Sequence, residues 1–405
     1  MGKKTLVLLL ALLLAAGAIA TGEAAPRALG GFFKQGHQLS DMDRDARGEY
    51  ERFHQHISGL GVSREVRDKY PELTEAITKI NQEEYARGRK LRETMGEEAA
   101  RMRQEAPQYF HAFQHRLDIT LRRADTLAVS FIQKDFTFGG GPRGMSVWQG
   151  VNLETKTGRP IPLKDVVRDT AALGEIIIKR LQDDYPEVSF FDMEKTVRDK
   201  AGAQKLNWTL DPLGLTFYFN PYEIASYADG LLTVTILYKE HPGLFREKYT
   251  EAPAAYGQPF YSYYPLVTCL GEGRERDVLS LIPVEGAVKV TVNGRAFDFE
   301  PELKDLRPVL VHLADGRNFL YIDGAEKGST KRKILVLELK EGEAVSRGLQ
   351  PYSFRQTIPV SPAVQVYWNF LTDPLHFTLD GTESFFRASV SKSYAAGSAG
   401  PVELP

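Results

Sequence analysis

The aromatic residues between Trp208 and Glu240 are the part of this sequence best suited to molecular recognition, because a tyrosine combines an apolar ring with a hydroxyl. Pro221 fixes its own backbone φ and ends the strand that the preceding aromatic run predicts. Side chains alternate across a strand, so Phe217 and Phe219 share the face that we predict to lie in the core. Core packing is the alternative for the tyrosines as well. The candidate binding residues are Tyr218, Tyr222, Tyr227, Trp148 and Arg143.

The remaining polar residues contain no motif for catalysis, a cofactor or a metal. His111 and His115 would share one helix face, but a zinc protease needs a glutamate where Ala112 stands. The run Gly139–Gly144 could cradle an anion with its backbone N–H groups, but a hairpin turn is favoured because no helix follows. Paired acids are common, yet a sequence does not reveal carboxylates facing each other across a cleft. We therefore predict no catalytic residue, no cofactor and no metal.

Charge and cysteine usage restrict the partners and the compartment. The chain has 405 residues, with 51 Lys and Arg against 53 Asp and Glu, so its formal net charge is −2. Nucleic-acid binding normally needs a basic excess, and we do not predict it here. Cys269 is the only cysteine, so no disulfide can form within the chain. We interpret it as a small buried hydrophobe, with a nucleophile or an intermolecular bridge as the alternative.

The first twenty residues have the layout of a secretory signal peptide. Lys3 and Lys4 precede the apolar run Leu6–Ala16, and the small residues Ala18–Ala20 follow it. The apolar run is shorter than the roughly 20 residues that span a bilayer, although an uncleaved anchor is the alternative. No other segment is apolar enough to cross a membrane. We expect a secreted or periplasmic protein with no stable membrane span after cleavage.

The periodicity of the rest predicts an α+β protein with an all-β C-terminal domain. Tyr50, Phe53 and Ile57 recur at helical spacing, so helices are predicted there. Alternation begins near His115 and predicts a mixed, mainly antiparallel sheet with helices on one face. Asn293-Gly294 is the strongest of several later turn signals, which predict successive hairpins. The predicted segments are a signal peptide (1–20), a flexible segment (21–40), a helical segment (41–111), an α+β domain (112–250), a linker (251–265) and an all-β domain (266–405).

Three segments in order resemble the extracytoplasmic domain family of the anti-sigma-V factor, which also precedes some peptidoglycan deacetylases. The first is Tyr70–Asn81, a short helical entry. The second is the hairpin Leu127–Phe138 with its glycine-rich closing loop, followed by Val151–Gly158. The third and most specific is Gly214–Gly230, which contains the aromatic corner. The resemblance covers roughly residues 70–240, less than half of the chain.

The resemblance implies a binding module of the bacterial cell envelope. In the anti-sigma factor this domain looks like a receptor for lysozyme, so the expected partner is a protein such as lysozyme, or a cell-wall glycan. Arg143 stands near the position where the family often has a histidine, so no role of that histidine carries over. We expect a non-enzymatic binding protein. The alternative is a cell-wall glycan hydrolase that uses carboxylates in an interdomain cleft near Pro253–Pro265.

Overall fold

A computed structural model describes residues 25–271, 276–329 and 332–349 with their side chains. Residue 350 and the strands at 355–359, 365–370, 376–380, 391–397 and 400–403 are described by their backbone. The signal peptide expected at residues 1–20 lies outside the described residues.

The first layer is a seven-stranded sheet. Its order is β18-β19-β1-β2-β3-β4-β5, and all neighbours are antiparallel except β2 and β3. The parallel pair is joined by two helices, as such a connection requires. The elements of this sheet and of the connection between β2 and β3 are β1 (Phe32–Asp45), β2 (Gly48–Val62), α1 (Arg64–Lys69), α2 (Pro71–Glu105), β3 (Phe113–Ala124), β4 (Ala128–Phe138), β5 (Met145–Glu154), β18 (Arg355–Pro359) and β19 (Gln365–Phe370).

Helix α2 crosses this sheet and covers its core. Pro71 occupies the first turn, where its missing N–H costs nothing. Leu73 and Ile77 are buried among the sheet's apolar side chains. A Cβ on Gly88 would lie 2.2 Å from Ile57 Cδ1, so glycine allows the helix to approach β2. In the part of the chain that the structure describes, no helix is long and apolar enough to cross a membrane.

The structure corrects the prediction for the region before α1. Residues 32–62 form a long hairpin, so neither the flexible segment to residue 40 nor a helix from residue 41 is observed. Phe53 and Ile57 do face inward, but Gln55 between them is also buried and donates to the Gly88 carbonyl at 2.8 Å. A buried glutamine breaks the polar–apolar alternation that marks a strand, and the remaining apolar residues happen to match helical spacing.

The second layer packs two helices on a three-stranded sheet of order β6-β7-β8. Asp169 caps the first of these helices by accepting from the Ala171 and Ala172 N–H groups. Leu173, Ile177 and Leu181 form its buried stripe. The elements are α3 (Thr170–Asp184), α4 (Met193–Gly202), β6 (Trp208–Leu210), β7 (Gly214–Phe219) and β8 (Leu232–Leu237).

The C-terminal half forms two facing antiparallel sheets around an aliphatic core. Their orders are β10-β11-β12-β13 and β17-β16-β15-β14-β9, which confirms the α+β fold with a β-rich C-terminus. Asn293-Gly294 forms the predicted hairpin turn between β12 and β13. The strands of these two sheets are β9 (Tyr256–Pro259), β10 (Leu266–Thr268), β11 (Asp277–Val284), β12 (Ala287–Val292), β13 (Arg295–Phe299), β14 (Leu303–His312), β15 (Asn318–Glu326), β16 (Arg332–Lys340) and β17 (Glu343–Gln350). A separate three-stranded sheet contains β20 (His376–Asp380), β21 (Ser391–Gly397) and β22 (Gly400–Glu403).

The segment predicted as a linker, residues 251–265, is part of this half. Strand β9 lies within it and pairs with β14 at the edge of the five-stranded sheet. Its Pro259 is tolerated because an edge strand can dispense with one N–H. The density of Pro, Gly and Tyr suggested a linker, but here those residues form an edge strand and tight turns.

An ion pair fastens the first sheet to the chain that leads into the C-terminal half. Lys248 Nζ donates to Glu154 Oε1 at 2.6 Å and lowers the pKa of this carboxyl to about 2, with the Thr157 and Tyr249 hydroxyls assisting. A depressed carboxyl pKa contributes stability above the unfolded-state value of 4.5, and this contribution is lost as the pH falls toward 2. Glu154→Gln should therefore destabilise the protein at pH 7 and converge with the parent near pH 2. Urea unfolding at several pH values measures this, and a pH-independent difference would contradict it.

Candidate functional site

The five binding residues predicted from the sequence separate into an exposed group and a buried group. Arg143 and Tyr222 are exposed and Tyr227 is half-buried, whereas Trp148 and Tyr218 are 3 % exposed. The structure therefore brings three of the five together at the surface. The other two lie beneath them and support the fold.

The exposed group joins two distant segments of the chain. The Arg143 guanidinium lies 5.0 Å from the centroid of the Tyr227 ring, a cation–π contact. The Tyr222 and Tyr227 ring centroids are 5.8 Å apart. The Tyr227 hydroxyl donates to the Gly144 carbonyl, which ties the aromatic corner to the glycine-rich loop. The glycine-rich loop Gly139–Gly144 therefore acts as a turn that positions Arg143. This agrees with the hairpin turn that was favoured over an anion-binding loop.

Tyr222 is held in a backbone conformation that suits glycine. The Glu223 N–H donates to the Asn220 carbonyl at 3.0 Å, which closes a β-turn with Pro221 second and Tyr222 third. The φ of Tyr222 is +69°, as the third position of a type II turn requires. A bulky residue there costs about 1 kcal/mol or more. Nevertheless its side chain is 59 % exposed and gains little from packing.

Tyr263 repeats this arrangement, and the sequence reasoning missed it. The Tyr264 N–H donates to the Tyr261 carbonyl at 3.3 Å, and Tyr263 is again the third residue, with a φ of +72° and an exposed fraction of 66 %. The region reads as a linker in the sequence, and no local signal places an aromatic residue at a glycine position. We use the name tyrosine patch for the contacting residues Arg143, Tyr222 and Tyr227 together with Tyr263, which is linked to them through Trp148, the residue that its neighbours Tyr261 and Tyr264 contact.

Both turns are anchored on Trp148. The Asn220 side chain accepts from the Trp148 N–H at 2.7 Å and donates to the Trp148 carbonyl at 3.1 Å. The Tyr261 and Tyr264 rings, from the second turn, lie 4.7 and 5.0 Å from the Trp148 ring. Trp148 is thus the buried support of the patch, which corrects its prediction as a surface binding residue. A large ring at the centre of β5 contributes most to stability when it is covered.

Tyr218 is likewise corrected, because its hydroxyl belongs to a buried polar network. It lies 2.9 Å from Thr209 Oγ1, and burial raises the pKa of Tyr218 to about 12. Asp211, also buried, accepts from Arg122 Nε at 2.8 Å and from the Thr216 hydroxyl at 2.6 Å. A buried hydroxyl needs such a partner, and the strand alternation placed Tyr218 on the side where the network lies.

The outer edge of β5 is occupied by two asparagine side chains. Asn207 accepts from the Gly150 N–H at 2.8 Å and donates to the Trp148 carbonyl at 2.7 Å. Asn220 bonds the same carbonyl from its own side. Together they satisfy main-chain groups that a neighbouring strand would otherwise pair, and they fix the position of the patch relative to the sheet.

A cleft of about 850 Å³ lies between the second layer and the C-terminal sheets. This volume is typical of small-molecule sites. Its lining includes the end of β8, the loop after it and the starts of β9 and β15. The lining residues are Arg168, Leu213, Leu237, Tyr238, Lys239, His241, Pro242, Gly243, Phe245, Glu247, Thr250, Ala252, Pro253, Tyr256, Cys269, Leu270, Gly271, His312, Gly316 and Asn318.

The acid content of this cleft bears on the hydrolase alternative. Glu247 is the one carboxylate among its described lining residues. A glycosidase of the common type places two carboxyl groups on opposite sides of the scissile bond. His312 has a fixed role instead, because Asn318 Oδ1 lies 2.8 Å from His312 Nδ1 while the amide nitrogen of Asn318 donates to the Leu270 carbonyl.

The two histidines weighed as metal ligands are separated by the fold. His111 lies in the loop after α2 and is exposed, whereas His115 is buried on β3. His115 Nδ1 lies 3.0 Å from Gln55 Nε2, and His115 Nε2 lies 3.3 Å from Asp135 Oδ1. Among the residues that the structure describes, no group of three or more His, Cys, Asp or Glu side chains could hold a metal ion.

Comparison with known proteins matches one part of the chain to a family of unknown function. None of the curated proteins matches the chain. One solved structure, a DUF3298 family member from Bacteroides fragilis, is 14 % identical with a TM-score of 0.37 and matches 55 % of this chain and 96 % of its own. Another, from Pseudomonas aeruginosa, is 15 % identical with a TM-score of 0.34 and matches 54 % and 96 %. Residues 164–239, which hold α3, α4 and β6–β8, match the family described as "Protein of unknown function (DUF3298)".

Proposed function

We propose that the protein is a non-enzymatic binding protein of the bacterial cell envelope, secreted or periplasmic, that recognises a partner protein through the tyrosine patch. The observation that carries this proposal is the placement of Tyr222 and Tyr263. Both are exposed, both occupy a glycine position with positive φ, and both turns are anchored on Trp148.

The backbone strain supports a role outside the fold. A tyrosine in the left-handed region costs stability, and an exposed ring recovers little of it by burial. Strained residues of this kind persist where the surrounding structure holds them, and they cluster at functional sites. Two such positions beside one tryptophan argue for a shared surface, because each turn is fixed by the same support.

The composition of the patch favours a protein partner. Tyrosine and arginine are the residues most often found at the energetic centres of protein interfaces. Phe191, which is 43 % exposed, is tied to the aromatic corner by its main-chain N–H, which donates to the Ile224 carbonyl at 3.0 Å. Lysozyme is the first protein to test, because of the resemblance to the anti-sigma-V extracytoplasmic domain. A cell-wall glycan is the other ligand class and forms the second arm of the experiment.

The test is titration calorimetry of the purified protein with lysozyme and, in parallel, with soluble wall-glycan fragments. Saturable binding of lysozyme should be weakened at least tenfold by Tyr222→Gly and by Tyr263→Gly, because each removes a contact ring. The melting temperature should not fall, because glycine relieves the positive φ.

Tyr109 provides the matched control. It is 68 % exposed, lies in the loop between α2 and β3, and has no positive φ. Tyr109→Ser should leave the affinity unchanged. Binding of glycan fragments alone would replace the protein partner with a glycan. The proposal would be overturned if neither lysozyme nor glycan fragments bound, or if Tyr109→Ser weakened the binding as much as Tyr222→Gly and Tyr263→Gly do.

A further inference from the structure

The interdomain cleft has the properties of a second, independent ligand site. Its volume of about 850 Å³ is within the range of small-molecule pockets, and it lies where two packed units meet, a common place for such sites. It uses none of the residues of the tyrosine patch. The apolar part of the wall contains aromatic and aliphatic side chains: Leu213, Leu237, Tyr238, Phe245, Pro253 and Tyr256.

Several of these apolar residues are fixed by contacts within the wall. The Tyr238 and Phe245 rings meet edge to face with centroids 4.9 Å apart. The Tyr256 ring stacks on the His312 imidazole at 5.0 Å, and Asn318 holds that imidazole. Rings locked in this way offer a preformed apolar surface, so a ligand would pay little to order them.

The charged side chains of the lining are mainly cationic. Arg168 and Lys239 carry positive charge, and Glu247 is the single acid among the described lining residues. Arg168 is positioned by its Nε, which donates to the Phe245 carbonyl at 2.9 Å. Its two terminal nitrogens have no partner among the described residues and are available as a planar fork that matches a carboxylate.

We propose that this cleft binds a small amphipathic carboxylate, whose apolar chain contacts the Leu237–Phe245 wall and whose acid group is held by Arg168. Lys239, whose ammonium lies 3.9 Å from Cys269 Sγ, adds a second positive charge to the lining. The apolar area sets the affinity and the cations set the sign of the charged group. A neutral or cationic ligand of the same length would keep the apolar contact but lose the attraction between its head group and the cationic side chains.

Titration calorimetry with dodecanoate, below its micellar concentration, tests the proposal on the whole protein. Dodecyltrimethylammonium has the same chain with the opposite charge and is the ligand control. We expect saturable binding of dodecanoate at one site and at least tenfold weaker binding of the cation. Equal binding of both, or no binding of dodecanoate, would overturn the proposal.

Two variants locate the site. Arg168→Gln removes the fork and should weaken dodecanoate binding about tenfold, whereas Arg64→Gln, at a highly exposed arginine of α1 away from the cleft, should not. Gly271 lines the cleft, and a Cβ there would meet nothing within 4 Å, so Gly271→Phe adds a bulky ring to the lining without a clash at its Cβ. It should abolish binding while the melting temperature is unchanged. Unaltered binding in both variants would show that dodecanoate binds elsewhere.

Discussion

Replacing Arg122 with methionine should lower the free energy of unfolding by about 3–5 kcal/mol. Arg122 forms a two-point ion pair with Asp211, and both residues are buried between the seven-stranded sheet and the β6–β8 sheet. Although burial lowers the pKa of Arg122, the Asp211 carboxylate more than offsets this and holds it above its usual value. Without the guanidinium, a charged carboxylate would remain buried with only hydroxyl partners. Urea unfolding at pH 7 measures the loss.

The double variant Arg122→Met with Asp211→Asn separates the pair from its surroundings. The amide carries no charge and retains partners in the Thr209 and Thr216 hydroxyls. We expect the double variant to be clearly more stable than Arg122→Met alone, because the isolated charge is the main cost. If the loss of unfolding free energy in the double variant equalled the sum of the losses in Arg122→Met and Asp211→Asn, Arg122 and Asp211 would not be coupled.

Gly150→Ala should destabilise the protein by roughly 3 kcal/mol, although it adds a single methyl group. A Cβ on Gly150 would lie 2.0 Å from the Trp208 carbonyl oxygen and 2.6 Å from its carbon. These are main-chain atoms of β6, so β5 and β6 would have to separate. The separation would disturb the hydrogen bonds that Asn207 makes to β5.

Gly141→Ala is the control for this variant. Gly141 lies in the glycine-rich loop, has no positive φ, and a Cβ there would meet nothing within 4 Å. Its stability should equal that of the parent in the same thermal melt. If both variants melt alike, the close approach of β5 and β6 does not constrain the fold.

The sequence predicted the elements whose pattern is local. The hairpin of β3 and β4 and the Asn293-Gly294 turn each show a period or a turn signal that needs no distant partner. The hairpin at residues 32–62 was missed because its pattern depends on α2, whose Gly88 carbonyl accepts from the buried Gln55. A partner 33 residues away leaves no mark in a local window.

The candidate site was predicted in part for the same reason. Tyr222 and Tyr227 belong to a recognisable aromatic corner, and the structure brings Arg143 beside them, as predicted. The sequence predicts Trp148 and Tyr218 as binding residues too, because side-chain type does not distinguish a buried support from a contact surface. Tyr263 was missed, since positive φ at a tyrosine is set by the closure of its turn and has no signature in residue type.

The asparagines on β5 have a consequence for the behaviour of the protein at high concentration. β5 is the last strand of its sheet, and an open edge is a template on which another chain can add. Asn207 and Asn220 occupy the donors and the acceptor of Trp148 and Gly150 that such a chain would need. The exposed tyrosines can therefore stand beside a sheet edge without making that edge a nucleus for aggregation.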